Sequence, residues 1–484
     1  MRQQLVKNLL FVLVVNILVK TIWIFFIDRN VQLHVGYTQY GSFQALFNLG
    51  MIFQILLDFG LTQYNSKEIA TEPKRLRVLF SSMFWTRLLF ILSYIIIVSG
   101  IGLALGYRGA LMYLLLGVLL IQSFNSMLLF LRSSVAALHH FRTDGVLAVI
   151  DRLLMILLCG TLLLLPATRN AFTIEWFVWS QVACYFIAVL LAFFVLMRIS
   201  PVPIHFSIRP QMIQKVLRQS APFALLVFLM SIYMRSDAVM IDQLCGAEGK
   251  MQAGIYASAF RLLDVANIFG VMFAGMLMPI FAKMIAQQVS VAPTIRLSVD
   301  IMMPIAFVVA VVAIFFGADI MHVLYHKANA GSDAHIFVLL LCSFPAYCLM
   351  YIYSTLLTAK GSLRLLNSIS FFIVLLNLSL HFYFIPHFYA VGAAMAVLIT
   401  EWIVAAIVIY FAHRIFDLPH NLPWLAKHIG FVLTILTIAY CAQQWAGQWY
   451  VQLFILLFGA LVAVFGFRFW TISGFKTLFK RNAL

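Results

Sequence analysis

The sequence predicts an all-α polytopic membrane protein, and three observations carry that prediction. They are an apolar composition, about fourteen runs long enough to cross a bilayer, and basic residues concentrated in alternate connections. Of the 484 residues, 64% are hydrophobic and 10% charged, whereas a soluble chain is roughly 45–50% apolar and about 25% charged. No extended polar stretch interrupts the chain, so its domains are expected inside the membrane.

A span needs about 20 apolar residues to cross about 30 Å of hydrocarbon. Runs of that kind cover 7–27, 42–64, 79–100, 109–131, 146–166, 175–197, 220–244, 252–282, 298–317, 334–358, 365–385, 392–412, 428–445 and 450–470. The basic residues Arg2 and Lys7 flank the first run, but no small-x-small cleavage site follows it, so it is expected to be a retained span rather than a signal peptide. The connections are short apart from an amphipathic stretch, 198–219.

Orientation follows from Lys and Arg, which stay cytoplasmic in short loops. With the N-terminus inside, the cytoplasmic segments hold 22 of the 32 basic residues, the outer loops five (Arg29, Arg108, Arg169, Lys250, Lys327), and the spans five. Both termini are then cytoplasmic. The net charge of +16 becomes a cytoplasmic belt facing anionic lipid head groups rather than a nucleic-acid surface. The six cysteines are scattered, with no Cys-x-x-Cys pair, and are expected to be buried small hydrophobes rather than metal ligands.

Charges inside spans cost about 2.5–3.5 kcal/mol each on insertion scales, so they usually face a bundle interior or a water-filled cavity. The basic ones are Lys20, Arg87, Arg152, Arg235 and Arg261. Arg152 lies close enough to the inner end of its span to snorkel. The acidic ones picked out are Asp58, Asp237, Asp242, Asp264 and Glu401. Arg261 and Asp264 are three residues apart, and Arg235 and Asp242 seven, so each pair shares a helix face and can be self-neutralising. Lys20 has no acid within a turn, and Arg87 none in its span, which points to an anionic ligand.

Polar stripes recur at helical spacing. The clearest is Tyr347, Tyr351, Ser354 and Thr358; Asn48 with Asp58, and Asn377 with His381, belong to others. Such stripes serve either as interhelical glue or as the lining of a sugar site, and the spacing does not choose. Pro222, Pro279, Pro304 and Pro345 permit kinks inside spans. No G-x-x-x-x-G-K-[ST] loop is present, so ATP is not expected to bind by that route. A faint repeat places Lys20 before Tyr40-Gly41 and Arg235 before Gly254-Ile255-Tyr256; duplicated bundles are common in transporters, with the site between the halves.

Tyr40-Gly41, Asp58-Phe59-Gly60-Leu61, Arg235-Ser236-Asp237, Gly254 through Leu262, Asn377, Ile385-Pro386, Val391-Gly392-Ala393-Ala394 and Glu401 occur in this order along nearly the whole chain. In these motifs the sequence resembles the polysaccharide transporter family of the multidrug/oligosaccharidyl-lipid/polysaccharide exporter superfamily, whose best-known members are O-antigen (Wzx-type) flippases. The resemblance implies a six-helix lobe over 1–197, a cytoplasmic linker over 198–219, a second six-helix lobe over 220–427, and two additional helices with a basic tail over 428–484.

It also implies a bacterial inner-membrane flippase for an oligosaccharide on an undecaprenyl pyrophosphate carrier, moved by alternating access and not an enzyme. Lys20, Arg87, Arg235 and Arg261 would then hold the pyrophosphate, arginine being suited to bidentate phosphate contact. Tyr347, Tyr351, Asn48 and Asn377 would meet the sugar. Asp58, Asp242, Asp264 and Glu401 are the candidates for ion coupling or structural pairing, with no choice between Na+ and H+. No resident cofactor or metal is expected; membrane lipids and polysaccharide assembly proteins are candidate partners. The rivals are a drug or small-metabolite exporter, whose cavity should be dominated by acids, and a polymerase-type membrane enzyme, which usually needs larger loops than Asp28–Gly41 and Ala318–Asp333.

Overall fold

A computed structural model describes residue 19 and residues 21–71, 75–138, 140–200, 210–325, 332–419, 421–445 and 447–470. Every regular element among them is helical. Eleven helices among the described residues are long and apolar enough to cross a membrane. Their outward-facing side chains include Phe194, Phe382, Phe454 and Phe458, all more than half exposed, as expected where lipid is the solvent and each helix satisfies its own backbone.

The chain divides into two compact units, Met1–Gly254 and Ile255–Leu484. In the first, a π-helical turn Trp23–Asp28 leads into α1 (Arg29–Val35), followed by α2 (Tyr37–Ile52), α3 (Leu61–Thr71), α4 (Arg75–Ala104), α5 (Ala110–Ala137), α6 (Phe141–Leu164), α7 (Ile174–Ile199) and α8 (Pro210–Leu244). The central helix is α5, which packs on α2, α3, α4, α6 and α7 and buries Val118, Leu119, Phe130 and Leu131 completely. The predicted seventh span, in α8, packs against α2, with Phe228 and Phe53 rings 5.9 Å apart.

The element that starts as α9 (Gly249–Ala286) leads into the second unit, with α10 (Ala292–Leu324), α11 (Ser332–Cys342), α12 (Phe344–Ala359), α13 (Leu363–Phe416), α14 (Leu422–Trp445) and α15 (Trp449–Gly466). The last two helices pack on each other and on α10 through Phe316, Phe431, Ile435 and Leu456.

Four boundaries differ from the sequence expectation. Span 42–64 is not one helix: α2 stops at Ile52, a 3-10 turn covers Gln54–Leu57, and Phe59 (φ 41°) and Gly60 (φ 81°) turn left-handed before α3 begins. Hydropathy does not register this break because its residues are as apolar as their neighbours. The presumed outer loop Asp28–Gly41 is helical except at Gly36 (φ 82°), and α10 continues to Leu324; apolar runs end where lipid ends, but backbone hydrogen bonding does not. Finally, α8 begins at Pro210 and absorbs part of the linker 198–219, of which 201–209 lie outside the described residues.

Spans 365–385 and 392–412 both fall in α13, which bends at Tyr389 (φ 54°, ψ −133°) just after Pro386. Gly392 sits where a Cβ would stand 2.3 Å from the Phe384 carbonyl oxygen, so only glycine permits this corner. Most of span 7–27, both termini and Lys20 lie outside the described residues.

Candidate functional site

The broken second span creates a polar site in the first unit. Asp58, in the break, caps α3 by accepting from the Thr62 backbone N–H at 3.1 Å and the Thr62 hydroxyl at 2.5 Å. The same carboxylate is ion-paired with Arg87 of α4, whose guanidinium also donates to the Thr62 hydroxyl at 2.8 Å and to the Ser126 carbonyl. Arg87 is fully buried and its guanidinium lies 4.9 Å from the Phe130 ring centroid. The expectation that Arg87 is an uncompensated cation is therefore corrected: its acid comes from the break before α3, 29 residues back, and not from its own span. Asp58 retains 31% exposure of its side chain.

A second polar network binds α5 to α2 and α4. Gln122 donates to the Phe47 carbonyl at 3.0 Å and accepts from Tyr94, which also donates to the Gly50 carbonyl. This stripe is interhelical glue. Asn48, on the neighbouring turn of α2, is buried.

The two halves of the faint repeat meet. A Cβ on Gly41 would stand 1.8 Å from the Lys250 carbonyl oxygen, and one on Gly254 would stand 2.1 Å from the Tyr37 carbonyl oxygen. Gln32 donates to the Gly254 carbonyl at 2.9 Å. Close by in sequence, the Asp242 carboxylate accepts from the Tyr107 phenol at 2.8 Å and from its neighbour Gln243 at 3.4 Å, so its closer donor comes from the α4–α5 connection. Burial first, then the Asp242 charge, pushes the Tyr107 phenol far above its usual range and keeps it the donor. Arg235 is half-buried on α8.

In the second unit, Arg261 is buried on α9 and donates to the Tyr325 hydroxyl at 2.8 Å; Asp264 is half-buried one turn on. Tyr347 and Tyr351 of α12 stack with centroids 6.2 Å apart, and a Cβ on Gly270 would stand 2.5 Å from the Tyr351 ring. Asn377 donates to the Thr400 hydroxyl at 3.4 Å across the α13 hairpin. Asn377, His381, Thr400 and Glu401 are all at most 1% exposed.

A family model described as polysaccharide biosynthesis protein matches residues 5–285, more than half of the chain. The chain belongs to that family. The Asp58-Phe59-Gly60-Leu61 motif thus has a structural task, holding the break, the cap of α3 and the anchor for Arg87.

Among solved structures, the family member is similar to a lipid II flippase, MurJ, in an inward closed conformation, with TM-score 0.71, 15% identity, and 97% of this chain and 100% of that chain covered. It is similar to a multidrug resistance MATE transporter of the MOP superfamily in an inward-facing conformation, with TM-score 0.61, 14% identity, and 80% and 94% covered. A MOP superfamily transporter from Pyrococcus furiosus matches with TM-score 0.55, 12% identity, and 84% and 93% covered. At these identities the likeness is one of fold. No curated protein matches.

Sequence reasoning passed over a charged group in the first unit. Asp28 accepts from Tyr40 at 3.0 and 3.1 Å, and Arg152 lies 3.5 Å from Asp151 with its guanidinium 5.6 Å from the Trp23 ring. Asp151, inside span 146–166, was the signal available: an acid next to the one cation assigned to snorkelling. Tyr107 and Tyr325 carried no signal, since the partners found for them, Asp242 and Arg261, lie more than 60 residues away. All six cysteines are free; Cys159, Cys184, Cys245 and Cys348 are buried as expected, but Cys342 is half-buried and Cys441 exposed.

Proposed function

We propose that this chain is a flippase that moves an undecaprenyl-pyrophosphate-linked oligosaccharide across the bacterial inner membrane by alternating access. One observation carries the choice within the superfamily. The lipid II flippase fold covers 97% of the chain, whereas the multidrug fold covers 80%. The family match, which is to polysaccharide biosynthesis, supports the same substrate class.

In this proposal Lys20, Arg235 and Arg261 contact the pyrophosphate, where charge-assisted bidentate bonds favour arginine. Arg87 is reassigned to holding the second span through Asp58. Tyr351 is the half-exposed member of the aromatic pair and the better placed to meet sugar. Asp242, Asp264 and Glu401 remain the candidates for coupling to Na+ or H+.

The test is a deletion strain. Its loss should strand lipid-linked oligosaccharide in the inner leaflet, and Arg235→Ala or Arg261→Ala should insert normally yet fail to restore export. Full rescue by both variants would remove the cationic contacts from the proposal. Absence of any stranded lipid-linked sugar, with a drug-sensitivity change instead, would replace the flippase by the exporter.

A further inference from the structure

A cavity of about 630 Å3 lies wholly within the second unit, among α10, α12, the last part of α13 and the start of α14. Its volume falls in the range of about 300–1,000 Å3 typical of small-molecule sites. Val299, Met303, Phe307 and Leu349 give it an apolar wall, and Arg296 sits at one end. By the charge distribution of the loops this is the cytoplasmic end, since Arg296, Arg414 and Lys427 all fall on that side.

Three features identify an occupant. From Arg296 to Phe307, α10 rises about 16 Å at about 1.5 Å per residue, close to half of the roughly 30 Å hydrocarbon core. The cavity thus spans one leaflet, head-group level to midplane. The two indoles that line it have their N–H groups satisfied elsewhere, Trp424 by Asp300 at 2.8 Å and Trp402 by the Cys342 carbonyl at 3.3 Å, so they can present only apolar ring surface inward. Arg296 has no ion-pair or hydrogen-bond partner among the described residues, while the nearby acid, Asp300, is already matched by Lys427 at 3.5 Å. The mouth therefore carries unmatched positive charge above an apolar shaft one leaflet deep.

We infer that this cavity binds one anionic glycerophospholipid of the cytoplasmic leaflet, its phosphate on Arg296 and one acyl chain along Val299, Met303 and Phe307. The occupant is a bilayer lipid and not the transported one: the polyprenyl tail of the proposed substrate is far longer than the depth available. A lipid held here braces α14 against α10 and α12.

The inference is tested with the full-length protein in nanodiscs containing phosphatidylglycerol or phosphatidylcholine that carries a mid-chain diazirine. After irradiation, labelled peptides are mapped by mass spectrometry. Phosphatidylglycerol should label the cavity-lining stretches of α10 and α12 about fivefold more than phosphatidylcholine, the factor one interfacial arginine contributes. Arg296→Gln should bring that ratio to about one, and Leu349→Trp should abolish labelling by both lipids. Equal labelling by the two lipids in the unaltered protein, or an unchanged ratio in Arg296→Gln, overturns the inference. So does displacement of the label by undecaprenyl phosphate at concentrations where unlabelled phosphatidylglycerol fails. None of these outcomes depends on transport, so the flippase proposal stands or falls separately.

Discussion

The pairing of Arg87 with Asp58 makes a quantitative prediction about what holds the second span together. Arg87 is fully buried, with the Asp58 carboxylate, the Thr62 hydroxyl at 2.8 Å and the Ser126 carbonyl as acceptors. Asp58→Ala leaves a buried guanidinium with two neutral acceptors. Breaking a buried pair in this way costs about 3–5 kcal/mol, and the 31% exposure of Asp58 puts the expectation near the lower figure. Asp58→Ala also removes the cap of α3, worth about 1 kcal/mol. At about 2–4 °C per kcal/mol, the denaturation midpoint in detergent should fall by roughly 8–16 °C. Arg87→Met should cost less, because the carboxylate left behind is partly solvated.

The double variant Asp58→Ala/Arg87→Met decides the matter, since replacing both partners by apolar groups is often close to neutral apart from the lost cap. It should be more stable than Asp58→Ala alone, with a coupling of about 2–3 kcal/mol between the two positions, as expected for groups in one network. Midpoints for the four proteins, read by tryptophan fluorescence and by loss of the monodisperse peak, complete the cycle. Additive effects, or an Asp58→Ala midpoint within 2 °C of the parent, would refute the assignment of this pair to structure.

Gly41→Ala should disrupt the contact of α2 with the start of α9, because its Cβ would collide with the Lys250 carbonyl at 1.8 Å; its thermal midpoint in detergent should fall, whereas that of Gly100→Ala, where a Cβ meets nothing within 4 Å, should stay at the parent value. Tyr107→Phe strips a hydrogen bond from Asp242 and should cost about 1.5–3 kcal/mol, seen as a lower thermal midpoint, with no comparable loss in Tyr113→Phe, whose ring is exposed. The Cys245 thiol is pushed up to about 11, chiefly by burial and then by Glu248 and Asp242, so only about one molecule in a thousand is thiolate at pH 8. Iodoacetamide labelling followed by peptide mapping should therefore rise about tenfold per pH unit from 8 to 10 at Cys245, and a plateau below pH 9 would contradict the burial. Gly270→Val should displace the Tyr351 ring, which lies 2.5 Å from where a Cβ would be, and reduce export without preventing insertion.

By itself the sequence determined that this chain lives in a bilayer, along with the approximate position of most of its helices. Those properties are sums along the chain: a run such as 109–131 is apolar enough to span wherever it packs, and α5 is found there. The motif order also sufficed to place the chain in its family, since it is again a linear property. What hydropathy lost were events that leave composition unchanged: the left-handed break at Phe59-Gly60, the corner at Tyr389, and the helical path through Asp28–Val35.

The charge partnerships needed the tertiary structure for a different reason. Spacing of three, four or seven residues identifies neighbours only on one helix, and it linked Arg235 with Asp242. The acceptors found for Arg87 and Arg261 and the closer donor found for Asp242 come instead from other elements, 29, 64 and 135 residues distant. A buried charge selects its counterpart by proximity in space, and proximity is set by packing of whole helices. For the same reason Arg296 is one basic loop residue among 22 in the sequence, and becomes distinct only when four helices enclose an apolar shaft beneath it.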